Sequence, residues 1–168
     1  MIPEAENLVF DRSHADTVFA ADLIARALRY GFESLAPDEQ ALFHAGLKGR
    51  YTVTDLNRVE TAVAAVAAIL RSRGRLVSVT TKAWVFNDIP SPFEMGRYLE
   101  NVKTLMGAFF VLPSTPELPD DMELLAFGGA NDIERILYDI SQLIDNMVRT
   151  VDLGWALGLA HTGVYGGL

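Results

Sequence analysis

The sequence predicts a mainly α-helical protein: a single-domain bundle of about five helices with one short β or extended segment and extended termini. Three observations support this fold class. Apolar residues recur three and four positions apart in several segments, which places them on one face of a helix. Ser91-Pro92-Phe93-Glu94 has the serine, proline and glutamate of a helix N-terminus with a capping box. The 168 residues, half of them hydrophobic, suit one well-buried core.

The last predicted helix, from about Asn131 to Val151, has the strongest apolar pattern. Its stripe consists of Ile133, Ile136, Leu137, Ile140, Leu143, Ile144, Met147 and Val148. A second helix is predicted to start at Ser91, with Met95, Leu99, Val102, Leu105, Met106 and Phe109 on its apolar face. Apolar spacing and the glycines and prolines at segment ends predict three further helices, over about 15–32, 36–47 and 54–73.

Two segments between these helices have other patterns. Leu76 to Phe86 is rich in valine, threonine and aromatic residues, so we interpret it as a β-strand or an extended segment. Pro113 to Pro119 contains three prolines, which remove amide donors and hold the chain extended. We expect this second segment to be a surface loop.

The chain is predicted to have three parts. Residues 1–12 form an extended N-terminal arm whose burial depends on a neighbour, and residues 13–153 form the helical core domain. Residues 154–168 combine glycines with apolar side chains, which is unusual for a solvated terminus. We interpret this part as a docking tail whose partner interface consists of Trp155, Leu157, Val164 and Tyr165.

Composition excludes several classes of partner and site. Acidic residues outnumber basic ones by 22 to 14, so the net charge of −8 disfavours nucleic acid and anionic membrane surfaces as partners. Without cysteine there is no disulfide, thiolate metal site or thiol nucleophile. The longest apolar run, from Ala62 to Leu70, is too short to span a membrane, and the N-terminus lacks a basic leader. We therefore expect a soluble protein without a signal peptide or membrane insertion.

One short element occurs twice. Asn57-Arg58-Val59-Glu60 and Asn131-Asp132-Ile133-Glu134 share the pattern Asn-x-[Val/Ile]-Glu, and both continue as apolar stripes. We expect the two helices to have equivalent roles, in which Asn57, Glu60, Asn131 and Glu134 tie a loop or a helix start through main-chain hydrogen bonds. The alternative is a chance match.

These elements belong to a longer ordered series of motifs, which covers nearly the whole chain. The series consists of Asp11-Arg12-Ser13-His14-Ala15-Asp16, Gly46-Leu47-Lys48-Gly49, Tyr51, Asp55-Leu56-Asn57-Arg58-Val59-Glu60, Trp84, Asp88-Ile89-Pro90, Met95-Gly96-Arg97-Tyr98-Leu99-Glu100-Asn101-Val102, the loop 113–119 and Ala130-Asn131-Asp132-Ile133-Glu134-Arg135-Ile136-Leu137. In this order the chain resembles a family of tail- or baseplate-associated proteins, and of tail-fibre modules, from phages and prophages of Gram-positive bacteria.

The resemblance implies a structural virion component that is made in the cytoplasm of the bacterial host. It implies no enzymatic activity, no catalytic residues and no cofactor. Its partners would be other tail or baseplate proteins, in a homo-oligomer or a hetero-assembly. The family often ends in a Ser/Thr-Gly motif with aromatic and acidic residues, which His161 to Leu168 matches only in part because the acidic residues are missing.

The residues themselves offer little catalytic or metal-binding chemistry. His14, His44 and His161 lie in separate segments, and none has the spacing of a helical zinc site. The acidic residues Asp120, Asp121 and Glu123 lack the spacing of an EF-hand, and a solvated charge run explains them better. We therefore predict no metal site.

The alternative function is a receptor- or carbohydrate-binding module of a tail fibre. Trp84, Phe86, Trp155 and Tyr165 could then stack on sugar rings, although packing in the core or an interface explains these aromatics better. Arg12, Arg97 and Tyr98 are predicted either to form polar interface contacts or to lie on the ordinary surface. A wall-hydrolysing enzyme, a third class, would need paired carboxylates or a metal in a cleft.

Overall fold

The computed structural model describes the backbone of residues 2–162 and the side chains of residues 2–150. This part of the chain contains six α-helices and no β-strand, which confirms the predicted mainly helical class. The helices are α1 (Pro3–Glu6), α2 (His14–Tyr30), α3 (Pro37–Ala45), α4 (Val53–Ser72), α5 (Pro92–Ala108) and α6 (Phe127–Thr162), with a 3-10 turn at Phe32–Ser34.

The main core lies between α4, α5 and α6, and the short helix α1 packs against α4 and α6. Helices α4, α5 and α6 each bury apolar residues of the stripes predicted for them, whereas Met147 of the α6 stripe is exposed. The fully buried members include Val59, Val66, Val102, Leu105, Ile136 and Ile140. Burial of these aliphatic side chains is the main favourable term in the stability of the bundle.

A smaller apolar cluster lies beside the main core and joins α2 to the residues that follow it. Its buried members are Ala20, Leu23, Leu35 and Leu47. Near the start of α2, a Cβ atom added at Gly49 would lie 2.0 Å from the main-chain oxygen of Asp16. The two main chains therefore approach each other at a distance that only glycine allows.

Helix α5 begins as its local sequence predicts. The Ser91 hydroxyl accepts a hydrogen bond from the Glu94 main-chain N–H at 3.3 Å, and the Glu94 carboxylate accepts one from the Ser91 N–H at 3.1 Å. Ser13 and Asp16 form the same capping box at the start of α2. Both boxes satisfy main-chain donors that a helix N-terminus would otherwise leave without partners.

The first twelve residues differ from the predicted extended arm. Pro3–Glu6 forms a helical turn, and Ile2, Ala5 and Leu8 are buried in the main core. Apolar residues spaced three apart line one side of this turn, so the segment packs on its own chain. The expectation that burial of the arm needs a neighbouring molecule is therefore wrong.

The segment predicted as a β-strand or extended piece is extended and forms no sheet. Residues 75–85 run along α4 and α5 without helical structure; most of them are exposed, whereas Val77 and Trp84 are buried. The main chain of this segment bonds to helix side chains instead of to a second strand. The extended interpretation of Leu76 to Phe86 is thus the one observed.

Helix α6 is longer than predicted at both ends, since it runs from Phe127 to Thr162. The predicted boundary between core and tail at residue 154 therefore falls inside a helix. The helix continues through Gly154 and Gly158, since isolated glycines weaken a helix by only about 1 kcal/mol each and do not have to end it. Val164 and Tyr165 lie outside the described residues.

Candidate functional site

Asn57 on α4 holds the extended segment 75–85 through the main chain of Trp84. The side-chain oxygen of Asn57 accepts from the Trp84 N–H at 2.8 Å, and its side-chain nitrogen donates to the Trp84 carbonyl at 2.9 Å. One carboxamide thus satisfies both main-chain groups of a residue, as a neighbouring strand would do. We call this paired arrangement an asparagine clamp.

Asn131 on α6 forms an equivalent clamp on the segment between α1 and α2. Its side-chain oxygen accepts from the Arg12 N–H at 3.0 Å, and its side-chain nitrogen donates to the Arg12 carbonyl at 2.9 Å. The two asparagines of the repeated element therefore hold two different extended segments by the same pair of hydrogen bonds. Each occupies a helix position next to the apolar stripe.

The glutamate three residues after each asparagine completes the arrangement. Glu60 accepts from the Trp84 indole N–H at 3.3 Å and from the Arg97 guanidinium at 2.6 Å. Glu134 accepts from the Arg12 guanidinium at 2.6 Å and from the Val9 main-chain N–H at 2.6 Å. In both cases the clamped residue also contacts the glutamate through its own side chain.

A third clamp was not predicted. Asn101 on α5 accepts from the Thr80 N–H at 3.1 Å and donates to the Thr80 carbonyl at 2.8 Å. The sequence carries a signal for it, because Asn101 lies three residues after Tyr98 and four before Leu105, on the apolar face of α5. Segment 75–85 is therefore held at two residues, by α5 at Thr80 and by α4 at Trp84.

Four charged side chains meet beneath the clamp at Arg12. The guanidinium of Arg12 lies 2.7 Å from Asp55 and 2.6 Å from Glu134, and Arg58 donates to Glu134 at 2.7 Å. Arg58 is also paired with Asp55. Two positive and two negative groups balance formally, and Glu134 is fully buried. We call these four residues the buried ion cluster; it joins the N-terminal segment to α4 and α6.

Asp55 belongs to both the ion cluster and the start of α4. One of its oxygens accepts from the Thr52 main-chain N–H at 2.7 Å, while the other faces Arg12 and Arg58. Burial alone would raise the pKa of the Asp55 carboxyl, but the bonds from Thr52 and Arg58 outweigh it and lower that pKa. The carboxylate therefore stays ionised at neutral pH.

Two tyrosine hydroxyls lie next to the ion cluster. Tyr51 and Tyr98 hydrogen-bond each other at 2.6 Å, and the Arg12 guanidinium lies 5.5 Å from the centre of the Tyr51 ring. Burial raises the pKa of both tyrosines. Both hydroxyls are therefore protonated at neutral pH, and they serve as hydrogen-bonding groups inside the core.

This network is suited to holding the fold. The carboxylates of Asp55, Glu60 and Glu134 are occupied by arginine, indole or main-chain donors, and all three residues are buried. A general acid or base would need a free oxygen that a substrate can reach. Within residues 2–150, no three His, Asp or Glu side chains are grouped so that they could hold a metal ion.

Several predicted site residues lie elsewhere than expected. Arg12 and Tyr98 are buried in the core, so the expectation of interface or ordinary surface positions is wrong for these two. Arg97 is half-buried and paired with Glu60. Trp84 is buried, whereas Phe86 is 92% exposed. The predicted interface residues Trp155, Leu157, Val164 and Tyr165 lie outside the side chains that the structure describes.

Comparison of the chain with protein-family models, with curated proteins and with solved structures found no match. A search of the described helices for a membrane span found none with the required length and apolar character.

Proposed function

We propose that this protein is a structural component of the tail or baseplate of a phage or prophage particle. It acts by protein–protein assembly, which includes the attachment of a fibre, and not by catalysis. The proposal starts from the ordered motifs that resemble tail- and baseplate-associated proteins. The positions and contacts of those motif residues in the fold also support it.

The residues that carry the resemblance form the internal scaffold of the fold. Asn57, Asn101 and Asn131 clamp extended segments, and Glu60 and Glu134 close the ion pairs around them. In the same motifs, Gly49 packs against the main chain of α2, and Tyr51 and Tyr98 hydrogen-bond each other. Motif residues that are buried and bonded to other parts of the same chain favour a scaffold protein over an enzyme, whose motif residues would face a cleft.

Exposed apolar side chains supply surface for contacts with neighbours. Phe86, Ile89 and Phe93 lie between segment 75–85 and the first turn of α5, and they are 92%, 87% and 84% exposed. Three large apolar residues within eight positions are costly to leave in water. This loop is therefore a candidate assembly surface of the described chain.

The C-terminal residues of the chain are a second candidate contact surface. Residues 154–168 carry Trp155, Leu157, Val164 and Tyr165 among glycines, and we assign them to docking on another subunit or another tail protein. Burial of these apolar side chains in an interface would stabilise the assembly.

The aromatic side chains of the described residues support carbohydrate binding less well than assembly. Stacking on sugar needs an accessible aromatic face, and Trp84 is only 3% exposed, with the Lys82 ammonium 4.1 Å from the centre of its ring. Phe86 is exposed, but beside the exposed Ile89 and Phe93 it also suits a protein contact.

Deletion of the gene from a bacterium that produces the particles tests the proposed function. Particles made without the protein should have incomplete or fibreless tails, and a plasmid copy should restore them. Intact, infective particles from the deletion strain would contradict a structural role in the tail.

A further inference from the structure

An open groove runs along the side of α5 that carries Met95, Leu99 and Met106. It has a volume of about 1160 Å³ and lies between α5 and the loop of residues 118–125. Its lining includes Leu56 and Leu99 from the core, and Met95, Met106 and Met122 along the sides. Three of the five methionines of the chain thus face one groove. Methionine is flexible and polarisable, which suits a surface that adapts to an apolar ligand.

Two glycines leave one wall of this groove open. Gly96 and Gly107 are eleven residues apart on α5, which places them on the same side of the helix three turns apart. A Cβ atom added at either position would meet nothing within 4 Å, and neither residue has a positive φ. Packing within the chain therefore does not require glycine there, although glycine weakens a helix relative to alanine.

The rim of the groove is acidic. Glu100, Asp120, Asp121 and Glu123 line it and are exposed, whereas Lys103 is the only basic residue among the described residues that line it. Lys103 lies 4.0 Å from Glu100. The excess of negative charge attracts basic residues and disfavours a second copy of this chain, whose net charge is −8.

We propose that this groove binds an apolar segment of a partner protein that carries lysine or arginine beside its apolar residues. The apolar side chains lie between Met95, Met106 and Met122, and the basic ones meet the acidic rim. Gly96 to Gly107 spans about 16 Å, which about five residues of an extended segment cover. The inference rests on the proposed assembly role, because it names the chemistry of one partner.

A random-peptide display selection on the full-length protein tests the proposal, with a Gly107→Trp variant for counter-selection. The new indole fills the groove from a position where nothing obstructs it. The control is Ala21→Trp, an exposed position on α2 that does not line the groove. Thermal melts of both variants must match that of the wild type; if Gly107→Trp does not fold, Gly96→Leu takes its place.

Selected peptides should combine apolar residues with lysine or arginine. Their affinity should fall at least tenfold with Gly107→Trp and with Asp120→Lys/Asp121→Lys, fall with rising salt, and stay unchanged with Ala21→Trp. Three results would overturn the proposal: selected peptides that lack basic residues, binding that Gly107→Trp leaves intact, or wild-type self-association that Gly107→Trp abolishes. Tight binding of a synthetic peptide of residues 154–168, which contain no lysine or arginine, would also overturn it. None of these results changes where the protein is found in particles, so the proposed function is tested separately.

Discussion

The carboxamide of Asn57 closes two hydrogen bonds with the main chain of Trp84, 27 residues further along the chain. The same geometry joins Asn131 to Arg12 and Asn101 to Thr80. Three helix side chains thus satisfy extended main chain that has no sheet to pair with. This arrangement lets a helical core carry extended segments without leaving their amides and carbonyls unpaired.

Replacing a clamp asparagine by alanine should destabilise the protein. Asn57→Ala and Asn131→Ala each leave one N–H and one C=O without a partner, at a cost of about 1–3 kcal/mol. Urea unfolding monitored by circular dichroism measures the loss. Asn146→Ala, at an exposed position of α6, is the matched control and should change stability by less than about 0.5 kcal/mol. Equal curves for all three variants would show that the clamps do not contribute to stability.

Removing a charge from the buried ion cluster should lower the stability of the protein more than removing a charge elsewhere. Glu134→Gln removes the negative charge that faces Arg12 and Arg58, which leaves an excess buried positive charge, and should cost about 3–5 kcal/mol. Glu60→Gln removes a charge that faces one guanidinium, that of Arg97, and should cost less. Glu100→Gln on the surface should cost almost nothing. Denaturant midpoints of the three variants should follow this order. A Glu134→Gln protein as stable as the Glu100→Gln protein would contradict the role of the cluster.

Acid should weaken the start of α5. The Lys82 ammonium and the Ser91 N–H lower the pKa of Glu94 from 4.5 to about 2. A lowered folded-state pKa stabilises the protein above the ordinary value, and this contribution is lost as the pH falls from 4.5 towards 2. Glu94→Gln should therefore be less stable than the wild type at about pH 6, and the gap should narrow towards about pH 2. Unfolding curves across this pH range measure the difference in stability between the wild type and Glu94→Gln. A difference that stays constant would exclude ionised Glu94 as its source.

A chain truncated after Leu153 should keep its helical circular dichroism and a cooperative melt. The described core contacts of α6 include Ile144 and Val148, which the truncation retains. The truncated protein should lose self-association or partner binding, measured by sedimentation and by pull-down with purified particle proteins. If it unfolds while the full-length protein is a stable monomer, residues 154–168 belong to the core and do not dock.

The helices could be predicted from the sequence because their signals are local. The capping box at Ser91 and the stripe from Ile133 to Ile144 depend only on residues within a few turns of one another. The repeated Asn-x-[Val/Ile]-Glu element likewise predicts main-chain hydrogen bonds for Asn57 and Asn131. What it could not supply was the identity of their partners, Trp84 and Arg12.

The remaining features depend on contacts between distant residues. The pairing of Arg12 with Asp55 and Glu134 joins three segments that are far apart in sequence, and no local pattern distinguishes a buried arginine from an exposed one. Asn101 carries a weak signal, a polar residue on an apolar face, which does not identify its partner Thr80. The groove beside Gly96 and Gly107 exists only after the loop of residues 118–125 packs near α5.

Immunogold electron microscopy of purified particles tests the central claim most directly. An antibody raised against this protein should label one defined region of the tail or baseplate on each particle, and particles from a deletion strain should remain unlabelled. Unlabelled wild-type particles, with the protein recovered only from the unassembled fraction of the lysate, would contradict the claim that it is a structural part of the tail.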